Sequence, residues 1–169
     1  MNKMYLVLGD WSDDGHGKHD KILLESNVSV DDLRDAYKTS CKATGVSFNH
    51  NNDFTETDRN WKEADKYRIA CKYEDGGLSK FVFDILAKHG LTKEMLKEWD
   101  VDGYSEDGDE EGGFGLYVNT YVQLWIWFVK LSLPKNTVIK TANEKDEIPC
   151  INGYWNDTLN VQFGYGLYN

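Results

Sequence analysis

The sequence predicts an α+β fold: a mostly antiparallel sheet of about six strands, with two main helices and one short helix packed on a face. Three observations carry this. A short apolar segment near the start, and segments of alternating apolar and polar residues in the middle and at the end of the chain, are the patterns of strands. Two stretches instead show apolar residues at helical spacing between recognisable caps. After them comes the most apolar run, YVNTYVQLWIWFVKLSL over residues 117–133, which holds two of the six tryptophans.

Taken in order, residues 5–9 read as a wholly apolar strand, and Ile22 to Leu24 open a second. Ser29 starts the clearest helix. Ser29 and Asp32 have capping-box spacing, Val28 and Leu33 suit a hydrophobic staple, and Gly45 is the expected stop. Val30, Leu33, Tyr37 and Cys41 make its apolar stripe. A polar excursion over 47–65 follows, with Phe48, Phe54 and Trp61 as candidate anchors. Tyr67, Ile69, Cys71 and Tyr73 alternate with polar residues as in a strand.

The second helix is expected over 78–89, with Leu78, Phe81, Val82, Ile85, Leu86 and His89 on one side and Gly90 after it. Thr92 caps a short third helix. Residues 117–133 read as the central strand. Leu116, Val118, Val122, Leu124, Ile126 and Phe128 would share one face, and Tyr121, Trp125 and Trp127 the other. A buried helix is the rival, because a run apolar nearly all round hides its period. With the ribbon at the sheet's middle, the two carboxylate-rich segments of the chain would lie in water at its margins.

Strand character returns at 137–141 and at 159–167, and Asn152-Gly153 marks a hairpin turn with Pro149 at a sheet edge. No internal repeat or long linker divides residues 1–169, so one domain is expected.

Composition narrows the function. With 40% hydrophobic and 14% aromatic residues the chain can build a core, and its net charge of −10 argues against direct binding of nucleic acid. The apolar part of 117–133 is shorter than the roughly 20 residues of a membrane span. The N-terminus lacks the long apolar region of a secretory signal, and Cys41, Cys71 and Cys150 imply no disulfide framework, so a cytoplasmic location is the default.

Two loops stand out. Residues 10–20 carry Asp10, Asp13, Asp14, His16, Lys18, His19 and Asp20 around Gly15 and Gly17. Imidazole and carboxylate on a flexible loop after a strand are the donor types a divalent metal takes. Asp10, Asp14, His16 and His19 are the candidate ligands, and Lys18 is the candidate contact for a phosphate or carboxylate. Asp14-Gly15-His16-Gly17 resembles the DGHG signature of metal-dependent serine/threonine phosphatases, in which the Asp and the Gly carbonyl bind metal. Gly9-Asp10 with Gly17-Lys18-His19-Asp20 is similar to the GD and GNHD elements of calcineurin-like phosphoesterases. Both resemblances span a few residues, the further ligand motifs of those families are absent downstream, and neither assigns the chain to a family. The plain alternative is a solvated hairpin loop.

The second loop, DVDGYSEDGDEE over 100–111, holds Asp100, Asp102, Glu106, Asp107, Asp109, Glu110 and Glu111 and no basic residue. It resembles a calcium loop at Asp100, Asp102 and Glu111, but Ser105 stands where an EF-hand needs glycine. A charge run is commonly a solvated loop; the sharper reading is a contact surface for a basic protein. No Walker loop, dinucleotide fingerprint, C-x-x-C pair or G-x-S-x-G elbow is present. The leading expectation is therefore an acidic intracellular interaction module, in its specific form an inhibitor or decoy of a basic, nucleic-acid-handling partner, with no resident cofactor. The alternative is a metal-dependent hydrolase or small-ligand-binding protein built on 10–20. Whether the protein is an enzyme, and its oligomeric state, are left open by the sequence.

Overall fold

The computed structural model describes residues 1–7, 21–48, 67–69, 77–99, 112–142 and 167–168. They form an α+β arrangement with four helices and small antiparallel sheets. Strands β1 (Asn2–Val7) and β2 (Lys21–Ser26) pair antiparallel along their whole length, from Asn2 with Ser26 to Val7 with Lys21. Helix α1 spans Val30–Thr44. The short ribbon β3 (Leu78–Ser79) with β4 (Gly113–Phe114) brackets helices α2 (Lys80–Ala87) and α3 (Lys93–Trp99). Helix α4 covers Val118–Lys130, and β5 (Ile139–Thr141) joins β2. The two residues of β6 (Leu167–Tyr168) pair with the free edge of β1, giving the order β5-β2-β1-β6.

The β1–β2 pair forms where the apolar segments predict strands, although β1 begins at Asn2 rather than at Tyr5, and residues 8–9 lie outside the described residues. Met4, Leu6 and Leu24 are fully buried, and the register places Met4 beside Leu24 and Leu6 beside Ile22 on one face. Asn27 extends the pairing at the far end. Its N–H donates to the Val138 carbonyl and its side-chain oxygen accepts from the Val138 N–H, at 3.2 and 2.9 Å. This fixes the entry to β5.

Helix α1 follows its sequence signals. The Ser29 hydroxyl accepts from the Asp32 N–H at 3.1 Å, and the Asp32 carboxylate accepts from the Ser29 hydroxyl and N–H at 2.7 and 3.2 Å. Those bonds from the Ser29 hydroxyl and backbone hold the Asp32 carboxyl below its usual range. Gly45 ends the helix at φ 75°, a left-handed conformation that suits glycine. Val30, Leu33, Tyr37 and Cys41 are buried, as the stripe predicts. Ser29→Ala should therefore destabilise the fold by about 0.5–2 kcal/mol in chemical denaturation, and the Asp32 carboxyl should titrate higher by NMR.

The main correction concerns residues 117–133. They form helix α4, not the central strand of a sheet, and the sheet's middle is held by β1 and β2. Eight side chains are buried, among them Tyr121 and Trp125, which the strand reading put on one face with the more exposed Asn119, Gln123 and Trp127. Apart from Val118 at the helix start, the positions that are not buried, Asn119, Gln123, Trp127 and Lys130, recur at intervals of four, four and three, as on one side of a helix. The helix packs against α1 and α3, so its apolar residues meet neighbours nearly all round. The argument that placed both acidic segments at the margins of that ribbon falls with it.

Among the described residues the main sheet has four strands where about six are expected, and β3 and β4 form a separate two-stranded ribbon. Leu78 lies in β3, so α2 starts two residues later than its expected start, under a cap in which the Val82 N–H donates to the Ser79 hydroxyl at 3.2 Å. The ribbon depends on close approach: a Cβ on Gly77 would lie 2.5 Å from the Phe114 carbonyl oxygen. On α2, Val82 and Leu86 are buried but Phe81 is exposed, as is His89, which lies beyond the helix end. Phe81 instead packs edge-on to Tyr67 at 5.2 Å. Thr92 caps α3 as expected, accepting from the Met95 N–H at 3.2 Å. Residues 70–76, which carry the rest of the strand expected after Tyr67, lie outside the described residues, as do Phe54, Trp61, Cys71, Cys150, the 152–153 turn and most of the terminal strand.

Candidate functional site

Every candidate site residue of the two loops lies outside the described residues: Asp10, Asp14, His16, Lys18 and His19 in 8–20, and Asp100, Asp102, Glu106, Asp107, Asp109, Glu110 and Glu111 in 100–111. What the structure fixes is how the framework receives these segments. Residues 8–20 join Val7 to Lys21, which face each other across the hairpin. The chain leaves β5 at the same end of the sheet, where the Ala142 N–H donates to the Leu23 carbonyl at 2.9 Å. It returns there too, because Leu167 pairs with Leu6. Segments 8–20 and 143–166 therefore attach at one end of the sheet.

The acidic segment 100–111 attaches elsewhere. Before it, the Trp99 carbonyl accepts from the Asn119 side-chain amide on α4. After it, the Gly112 carbonyl accepts from the Lys80 N–H at the start of α2. Both of its ends are thus tied by hydrogen bonds to helices of the framework. The polar segment 49–66 is likewise closed at its base. Ser47 bridges Arg68, with the Ser47 N–H donating to the Tyr67 carbonyl and the Ile69 N–H to the Ser47 carbonyl, at 3.1 and 2.7 Å.

With the element boundaries known, the charge divides sharply. Of 19 basic and 29 acidic side chains in the chain, the described residues carry 13 and 7, leaving 6 and 22 for the remaining segments. The described residues carry a net positive charge, and most carboxylates of the chain lie outside them. Seven of those 22 carboxylates fall within 100–111, without a compensating base. Whole-chain charge conceals this partition, which a count by segment brings out.

Inside the framework, Tyr37, Phe48, Tyr121, Trp125 and Phe128 form one buried aromatic cluster, with ring centres 5.0–6.5 Å apart at the contacting pairs. Phe48 is held there through its backbone: its N–H donates to the Tyr37 hydroxyl at 3.0 Å, and its carbonyl accepts from the Tyr121 hydroxyl at 2.8 Å. Phe48 is thus the anchor expected of it. Cys41 lies in the same interior, where burial pushes its thiol up to about 12 and Tyr37, whose own hydroxyl burial also raises, is its hydrogen-bond partner. A thiol kept protonated and out of reach is a packing group, not a nucleophile.

The linkage has a defined sign. Cys41 is an acid whose folded pKa exceeds the ordinary 9.0, so the unfolded chain loses that proton first on raising the pH. Its contribution is intact below about pH 9 and is lost progressively towards pH 12. Urea denaturation across that range should show stability falling, with a shallower fall in Cys41→Val; parallel slopes in both proteins would refute the assignment.

Among the described residues no group of three or more His, Cys, Asp or Glu side chains could hold a metal ion, and no helix is long and apolar enough to cross a membrane. No protein-family model, curated protein or solved structure matches the chain.

Proposed function

We propose that this protein is an acidic interaction module that captures a basic, nucleic-acid-handling partner, as an inhibitor or decoy, through Asp100, Asp102, Glu106, Asp107, Asp109, Glu110 and Glu111. The observation that carries the reading is the concentration of charge in one segment. Both ends of a segment with seven carboxylates and no base are tied by hydrogen bonds to helices of the fold. Carboxylates at that density supply concentrated negative charge, the property by which a phosphate backbone attracts a basic groove. Their field steers a positive partner into encounter and weakens as salt screens it.

The test is capture from a nuclease-treated lysate at low and high salt, beside the variant Asp107→Asn, Asp109→Asn, Glu110→Gln and Glu111→Gln. Capture should fall as salt rises. The quadruple variant should bind the captured protein about tenfold more weakly or worse, with its melting temperature unchanged. The captured protein should also lose nucleic-acid binding when the intact module is added. Equal capture by the variant, or a partner that holds nucleic acid undisturbed, would overturn the proposal.

A further inference from the structure

No further inference is drawn: the strongest candidate, the end of the sheet where Val7, Lys21, Ala142 and Leu167 receive the segments carrying Asp10, His16, His19 and Cys150, rests on residues that the structure does not describe.

Discussion

Trp125→Ala should cost about 3–5 kcal/mol, the range for removing a fully buried indole, whereas Trp127→Ala should cost about 1–2 kcal/mol. Trp125 is completely buried beneath the Tyr37 ring, with centres 6.5 Å apart and planes 19° apart. Two residues further on, Trp127 keeps part of its surface in water. A strand would put both indoles on one face and make the two losses similar; a helix turns them about 200° apart and makes them unequal. Guanidinium denaturation with unchanged m-values would read the difference directly. If Trp125→Ala fails to fold, the milder pair Trp125→Phe and Trp127→Phe keeps the comparison. Among the described residues the Trp125 indole N–H has no hydrogen-bond partner. Equal losses at the two positions would contradict the helix.

The elements readable in the sequence are those whose signals are local. The capping box of α1 lies within four residues, Gly45 ends that helix on its own conformational preference, and Thr92 announces α3. Helix α4 was hidden because its neighbours on several sides make nearly every position apolar, which erases the contrast that reveals a period. Its faint trace, Asn119, Gln123 and Lys130, is polar at helical spacing, but the tryptophan-rich composition argued for a strand more loudly. The β3–β4 ribbon was illegible for another reason: two-residue strands carry no period, and this one rests on Gly77 meeting Phe114 from a distant part of the chain. The candidate segments were legible only as chemistry. Composition identifies carboxylates and imidazoles within short windows, whereas their arrangement depends on segments 8–20 and 100–111, which lie outside the described residues.

Tyr121→Phe should destabilise the fold by about 1–3 kcal/mol, the cost of leaving a buried polar group without its partner, although the substitution removes a single oxygen and opens almost no cavity. The hydroxyl it deletes fills the Phe48 carbonyl, and that residue is 1% exposed. Tyr37→Phe acts on the other backbone polar group of the same residue by withdrawing the acceptor from the Phe48 N–H. One tyrosine belongs to α1 and the other to α4, so the two hydroxyls bind one backbone segment to both helices at once. Because both losses fall on Phe48, the double variant should cost less than the two singles together, by about 0.5 kcal/mol or more: after one hydroxyl is gone, the backbone can shift and relieve the second. Amide exchange at Phe48 should quicken in Tyr37→Phe, while the capping amides of α1, held by Ser29 and Asp32, should not respond. Single costs below about 0.5 kcal/mol would mean that water reaches Phe48 in the native state. Strict additivity would mean that the two tyrosines act independently, and the clamp on Phe48 would then not be a unit.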